Sequence, residues 1–358
     1  MKKFYYVDAL RGLAILGVIL VHTNQIGLTA GGFLDPIVNQ GARGVQLFFV
    51  ASAFTLFLSK DNRDEDKHKT ISFFIRRFFR IAPMFYLAIA YYLWQYGFGS
   101  RFWLGDEPRI TVSNIFSNIT FTNGFNPYWQ NSTVPGAWSI SNEFLFYALL
   151  PLFLFKTVKN LNSAVYFFLI SISFSYICNI YLSNHQLISS SVLWKEYLFF
   201  YFPSQLPVFA LGIICYYLII KKESFANINQ TPILILILLA LLQLSKGFKF
   251  FPEHIIFSIF FALLMITLST FPSKLLVNKF TTFIGKLSFS LYITHFAVIY
   301  WLDKFNLSDF SDIRSLNYFI RLSIILTICV AISYFTYNLI EKKFIKIGSK
   351  LIHKLNYK

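Results

Sequence analysis

Two ionisable residues interrupt the first apolar stretch of the chain. Arg11 and His22 lie eleven residues apart in a run that otherwise has the character of a membrane-spanning helix. At about 100° per residue they return to nearly one helix face, roughly 16 Å apart along the axis. A cation at the centre of such a helix costs on the order of 3 kcal/mol. The pair therefore predicts that this stripe lines a functional cavity.

A compact cationic patch follows in the segment before the third apolar stretch. Arg76, Arg77 and Arg80 would share one face of a helix entering the membrane. Guanidinium groups bind phosphate through paired hydrogen bonds, so the patch suits a phosphorylated cofactor such as coenzyme A. Ordinary anchoring to anionic lipid explains the same residues and stays open.

Arg43 is a further cation, immediately before the second apolar stretch, in which Ser52 is among the small residues. It could orient an anionic or hydroxyl-rich acceptor at the outer mouth of a cavity. The alternative is an interfacial arginine whose head reaches the lipid headgroups.

The segment 138–147 combines aromatic residues with a carboxylate. Trp138 and Tyr147 suit an aromatic belt at the membrane surface. Glu143 lies several residues into an apolar helix, where a carboxylate needs a partner or a proton. We expect it to pair with Arg43 or His22, or to be held as a neutral acid. Simple placement near a helix terminus remains the alternative.

A polar stripe also marks the ninth apolar stretch, where Ser288, Tyr292 and His295 recur at helical spacing. His295 is a second candidate for proton chemistry. A single histidine on an apolar helix is nevertheless often a hydrogen-bonded packing residue, so both interpretations stay open.

Composition indicates a membrane protein that consists of one domain over residues 1–358. The chain is 56% hydrophobic and 20% aromatic but only 13% charged. We predict an all-α integral membrane protein with about ten transmembrane helices around a central cavity. Cys178, Cys215 and Cys329 lie in apolar stretches without ligand spacing, so no metal is expected. The predicted spans are near 9–27, 44–59, 81–98, 138–156, 164–182, 196–220, 232–245, 254–271, 284–302 and 316–340.

The formal net charge of +16 could suggest a nucleic-acid partner, but its distribution argues against one. Basic residues collect in every second segment between the predicted spans, beginning with Lys2 and Lys3. The segments in between, such as the one that contains Lys246, hold few basic residues. This bias predicts that both termini are cytoplasmic. It assigns 60–80 as a cytoplasmic basic loop, 99–137 as an external loop and 341–358 as a cytoplasmic tail. Membrane lipid is then an expected partner.

These motifs together resemble the membrane-bound acyltransferase 3 family, whose members are bacterial O-acyltransferases. The resemblance spans about residues 8–341, and Ala53 departs from it where the family usually has Gly. A chain without an appended extracellular domain would be a stand-alone form. The matching segments, in the family's order, are Asp8–Gly12 with His22, Arg43–Ser52, Arg76–Pro83, Trp138–Tyr147, Ser290–His295 and Tyr337–Glu341.

The resemblance implies transfer of an acyl group, usually acetyl, from cytoplasmic acyl-coenzyme A to a hydroxyl of a cell-surface glycan or lipid-linked sugar. We expect His22 to act as general base and Glu143 to orient it. Arg11 would contact the donor or stabilise developing negative charge, with Asp8 fixing its rotamer. The expected donor-phosphate ligands are Arg76, Arg77 and Arg80; acceptor-binding or supporting roles are expected for Arg43, Ser52, Trp138, Tyr147, Tyr292 and His295.

Two questions stay open at this level. Direct transfer and an acyl intermediate on His22 are not separated by sequence. A transporter or flippase for a glycan or acyl carrier could also use intramembrane Arg, Glu and His, although no paired inverted halves favour it. A structural role would leave the ionisable stripe unexplained.

Overall fold

The computed structural model describes residues 4–25, 29–61, 66–244, 249–307 and 309–357. Every regular element within these ranges is helical. Lys2, Lys3 and Lys246, which contributed to the charge argument, lie outside the described residues.

Helices follow one another through the described chain. The first group is α1 (Tyr5–Gln25), α2 (Leu34–Asn39), α3 (Gly44–Asp61), α4 (Lys69–Tyr96), α5 (Val112–Ile119), α6 (Ala137–Leu149) and α7 (Phe155–Thr157). The second group is α8 (Leu161–Asn184), α9 (Ser191–Phe200), α10 (Phe202–Ile219), α11 (Thr231–Gln243), α12 (Glu253–Thr270), α13 (Lys279–Lys304), α14 (Arg314–Thr336) and α15 (Lys342–Tyr357). Two π-helical turns, Leu150–Leu154 and Tyr337–Glu341, interrupt the regular pattern.

Helix length and apolarity confirm the prediction of an all-α membrane protein. Within the described ranges, eight helical segments are long and apolar enough to cross a membrane. Helix α11 is a shorter apolar helix, and the predicted span 81–98 lies mostly in the 28-residue α4. Ten crossings therefore remain a prediction.

The chain divides into two compact units. The first contains residues 1–51, 75–87 and 267–358, and the second contains 52–74 and 88–266. Helices α3, α4 and α12 therefore contribute residues to both units.

In the first unit, α1 packs along α13 and against the 3₁₀ turn Gln40–Arg43. Glycines allow the backbones to approach closely. A Cβ on Gly285 would lie 1.8 Å from the carbonyl oxygen of Asp8, and one on Gly12 would lie 2.1 Å from that of Thr281. On the other flank, a Cβ on Gly41 would lie 2.1 Å from the Gly17 oxygen. These glycines thus allow α1 to lie in direct backbone contact with α13 and with the 3₁₀ turn.

In the second unit, α8 packs against α10, and Phe146 of α6 stacks on Phe209 of α10 at 4.2 Å between ring centroids. The predicted span 196–220 is two helices, because the chain turns at Tyr201 before α10 begins at Phe202, with Pro203 in its first turn. A cavity of about 700 Å³ lies between α8, α10, α11 and α12. Its lining is almost wholly apolar and includes none of the candidate site residues.

The loop 99–137 is folded around buried polar side chains. Asn114 donates to Ser132 Oγ at 2.7 Å and accepts from Thr133 at 2.8 Å. Arg101 donates to the Ser132 carbonyl at 2.8 Å. These buried polar side chains therefore hydrogen-bond within the loop and stabilise it, because buried polar groups require partners.

Candidate active site

A pair of histidines joins α1 to α13 in the first unit. His22 Nδ1 lies 3.0 Å from His295 Nε2, and their rings are 5.1 Å apart and nearly parallel. His22 is partly buried, whereas His295 is fully buried. The close packing of α1 on α13 brings the two together, so the sequence-predicted base has a partner on the ninth predicted span.

The surroundings of His295 determine which nitrogens carry protons. His295 Nδ1 lies 3.2 Å from the carbonyl oxygen of Leu291, which can only accept a hydrogen bond. A proton on this Nδ1 leaves Nε2 of neutral His295 as an acceptor. His22 then donates from its Nδ1, and its Nε2 keeps a lone pair. The arrangement thus leaves one His22 nitrogen able to take a proton.

Aromatic rings enclose the histidine pair. Phe296 packs against both imidazoles, with ring centroids 4.4 Å from His22 and 4.1 Å from His295. Tyr292 lies 5.8 Å from the His295 ring and meets Phe48 edge to face. These contacts restrict rotation of the imidazoles. Tyr292 therefore supports the pair through packing.

Arg11 and Asp8 lie on α1, toward its N-terminal end. Both side chains are partly buried. The Asp8 backbone is the part of α1 that approaches Gly285. Eleven residues of continuous helix place Arg11 roughly 16 Å from His22 along the axis, as the sequence predicts.

The arginine patch lies on α4 as one helical face. Arg76, Arg77 and Arg80 are all partly buried, and Arg80 interacts electrostatically with the buried carboxylate of Glu341. Ser290 donates a hydrogen bond to Glu341, and Thr336 donates to Ser290 at 3.0 Å. This network was missed by sequence reasoning, which assigned Glu341 no role. The sequence signal for this network is Glu341 itself, a carboxylate that directly follows an apolar helix.

The network and the histidine pair share one helix. Ser290 and His295 are five residues apart on α13, which corresponds to about 7.5 Å of axial rise. Within the first unit, the charged network therefore lies about one and a half turns from the pair.

Arg43 ends the 3₁₀ turn before α3 and is partly buried. The next residue, Gly44, packs against α1, because a Cβ there would lie 2.3 Å from the Ala14 oxygen. Arg43 is thus anchored beside a tight helix contact.

Four candidates belong to the second unit. Ser52 Oγ donates to Glu143 Oε1 at 2.5 Å, which supplies the partner that a carboxylate in an apolar helix needs. Trp138 packs on Phe200 with centroids 4.5 Å apart, and Tyr147 meets Phe73 edge to face. From the sequence we expected Glu143 to pair with Arg43 or His22, or to be held as a neutral acid; in the structure it accepts a hydrogen bond from Ser52.

A buried ion pair in the first unit also lay outside the predicted site. Arg321 has no exposed side-chain surface, and its Nη2 lies 2.7 Å from Asp303 Oδ1. Arg321 Nε and Nη1 have no hydrogen-bond partner among the described residues. The sequence placed Arg321 in a span but gave it no function.

Within the described ranges, no three His, Cys, Asp or Glu side chains are grouped so that they could hold a metal ion. The chemical groups that the described site offers are imidazole, guanidinium, carboxylate and hydroxyl. These suit proton transfer and the binding of anions.

Comparison with known proteins agrees with this chemistry. A family model described as an acyltransferase domain, of the acyltransferase 3 type, matches residues 4–338. "Putative O-acetyltransferase SACOL0978" of Staphylococcus aureus strain COL is 28% identical over 384 residues, covering 98% of this chain and 59% of that protein. Peptidoglycan O-acetyltransferase OatA of Listeria monocytogenes is 31% identical over 168 residues, covering 43% of this chain and 25% of OatA. The chain thus spans about three fifths of the staphylococcal relative. No solved structure matches.

Proposed function

We propose that this chain, which belongs to the membrane-bound acyltransferase 3 family, transfers an acetyl group from acetyl-coenzyme A to a hydroxyl of a cell-envelope glycan. The hydrogen bond between His22 and His295 carries the proposal, because it leaves His22 Nε2 as an oriented base within an acyltransferase domain. The names of the relatives support acetyl as the group transferred.

The chemical step begins with His22. Its Nε2 takes the proton of the acceptor hydroxyl as the oxygen attacks the thioester carbonyl carbon. A carbon–oxygen bond forms, and the carbon–sulfur bond breaks. The coenzyme A thiolate then takes the proton from the His22 imidazolium, so the products are an ester and free coenzyme A. His295 Nε2 accepts from His22 Nδ1–H throughout and stabilises the transient imidazolium.

The donor is held by the cationic groups of the first unit. Arg76, Arg77 and Arg80 bind the nucleotide phosphates of coenzyme A, since guanidinium groups favour phosphate. Glu341 limits the movement of Arg80 through their electrostatic interaction. Arg11, on α1 roughly 16 Å from His22, contacts the donor at a distance from the reacting carbonyl, with Asp8 beside it on the same helix.

Arg43 and Tyr292 of the first unit supply hydrogen bonds to hydroxyls of the acceptor. In the second unit, Glu143 is held by its hydrogen bond from Ser52, and we keep supporting roles for Glu143, Ser52, Trp138 and Tyr147 as the resemblance implies. We assign the acceptor class as a glycan or a lipid-linked sugar, because the Listeria relative is named for peptidoglycan.

We place the protein in the cytoplasmic membrane of a bacterium with both termini inside. The charge bias and the apolar helices support this orientation. It puts the donor arginines on the side where coenzyme A is available.

Radiolabel transfer from acetyl-coenzyme A into cell-envelope glycans tests the function. Membranes with wild-type protein should incorporate label, and His22→Ala should reduce incorporation by at least about 100-fold, because a positioned base contributes that much. His185→Ala is the matched control, since His185 is exposed in the second unit and stacks on Tyr181. It should label like wild type.

Other outcomes discriminate between the parts of the proposal. Equal labelling by wild type and His22→Ala would exclude His22 as the base. Absence of label from wild-type membranes that contain folded protein would exclude this donor or acceptor. Fractionation of the labelled glycans identifies the acceptor.

A further inference from the structure

Helix α15 separates basic from apolar residues around its axis. Its sixteen residues contain no Asp or Glu. At about 100° per residue, the lysines fall within an arc of about 120°. All of them are exposed to solvent: Lys342, Lys343, Lys346, Lys350 and Lys354. The helix therefore presents one continuous cationic face.

Beyond the lysine arc, the surface of α15 is mostly apolar and has two parts. One flank packs on α4: a Cβ on Gly348 would lie 2.9 Å from the Phe79 Cβ, and Phe344 stacks on Phe79 with centroids 6.5 Å apart. The other part remains exposed. Ile347 and Leu351 expose 43% and 42% of their surface. Docking on the protein thus leaves an exposed apolar stripe that borders one edge of the lysine arc.

The length of the helical run places α15 beyond the hydrocarbon core. Helix continues from Arg314 to Asn356, which is 43 residues. At 1.5 Å per residue this is about 65 Å, roughly twice the thickness of the hydrocarbon layer. The first 23 residues form α14, and the π-helical turn Tyr337–Glu341 follows. That turn lies at the junction between the apolar helix and the amphipathic one.

We propose that α15 lies in the interface of an anionic lipid leaflet, with Ile347 and Leu351 among the acyl chains and the lysine face at the headgroups. Charge complementarity selects the partner, because a face of five lysines without a carboxylate attracts anionic phospholipid. A neutral protein surface would satisfy the apolar stripe but not the charge.

Fluorescence quenching tests this location on the full-length protein. The native cysteines are replaced (Cys178→Ala, Cys215→Ala, Cys329→Ala), and an environment-sensitive label is attached at Leu351→Cys or, as matched control, at Ser349→Cys, which lies beyond the other edge of the lysine arc. Each protein is reconstituted into brominated phosphatidylcholine, with or without an equal amount of phosphatidylglycerol. With phosphatidylglycerol, quenching at position 351 should exceed that at 349 by about threefold.

Charge variants test the partner. Lys346→Glu with Lys350→Glu should reduce quenching at position 351 to the level at 349, whereas Lys346→Arg with Lys350→Arg should preserve it. Strong quenching at position 351 without phosphatidylglycerol, or in the Glu variant, would overturn the assignment to anionic lipid. Weak quenching at both positions in every vesicle would show that α15 faces water or protein, and would overturn the interfacial location. Neither readout depends on acetyl transfer.

Discussion

A histidine acts as a base only when one ring nitrogen keeps its lone pair, and here that depends on a second residue. The Leu291 carbonyl fixes the proton of His295, and His295 in turn orients His22. A neutral imidazole thus has the orienting role that a carboxylate has in a serine–histidine–aspartate triad. The burial of His295 favours a neutral partner, because an isolated charge there would be costly.

Substitution of His295 separates orientation from packing. His295→Gln retains a carbonyl oxygen that can accept from His22 Nδ1–H, whereas His295→Leu fills the buried space without an acceptor. We expect kcat to fall about tenfold further in the Leu variant than in the Gln variant, because a hydrogen bond to a developing cation is lost. The KM for acetyl-coenzyme A should not change. Steady-state kinetics measures both; if Leu is as active as Gln, packing alone explains His295.

The buried Arg321 makes a prediction about stability. Its guanidinium has no exposed surface and lies 2.7 Å from Asp303. Asp303→Leu should lower the free energy of unfolding by about 3 kcal/mol, because it leaves a buried charge without its partner. The double variant with Arg321→Met should recover most of this loss. Thermal unfolding in detergent measures the effect, and Asp312→Leu, at an exposed position, serves as control. A double variant less stable than the single one would contradict the argument.

At the scale of elements, the site depends on how closely α1 approaches its neighbours. His22 meets His295 because glycines remove the side chains that would separate α1 from α13. The same helix contacts the 3₁₀ turn before α3 through Gly17 and Gly41. A small displacement of α1 would therefore move the base away from its partner, although neither glycine contributes a functional group.

Gly285→Ala tests this dependence. Its Cβ would lie 1.8 Å from the Asp8 carbonyl oxygen, so the two helix backbones must move apart. We expect a lower melting temperature and a loss of acetyl transfer of about tenfold or more, since a displacement of about 1 Å can be that costly. Gly99→Ala is the control, because no heavy atom lies within 4 Å of its Cβ position. Unchanged activity in Gly285→Ala would show that the site tolerates separation of α1 from α13.

Sequence predicts the helices well and their contacts poorly. The expected spans 44–59 and 254–271 correspond closely to α3 and α12, because apolar runs of sufficient length carry their own signal. The bond between His22 and His295 joins residues 273 apart, and spacing within one helix contains no information about such a pair. The tail 341–358 has low mean hydropathy, so its amphipathic helix is not detected as a span. The Ser52–Glu143 bond was missed for the same reason as the histidine pair.

For the whole molecule, the number of crossings determines whether the two ends of the chain share one side of the membrane. The ten crossings that we predict, an even number, would bring Tyr5 and Lys354 to the same side of the membrane and the loop around Thr120 to the other. The basic residues favour the cytoplasm for both ends, since translocating clustered lysines and arginines is unfavourable. The proposed donor site requires the same side, because there Arg76, Arg77 and Arg80 would meet coenzyme A.

Cysteine accessibility measures this arrangement in cells. In the cysteine-free background, Thr120→Cys should react with a membrane-impermeant maleimide in intact cells, whereas Tyr5→Cys and Lys354→Cys should react only after permeabilisation. All three positions are exposed in the structure, so access depends on the side of the membrane. Different behaviour of positions 5 and 354 would require an odd number of crossings. Reaction of both in intact cells would invert the protein and place Arg76, Arg77 and Arg80 away from coenzyme A, which would contradict the proposed donor site even if acetyl transfer is observed.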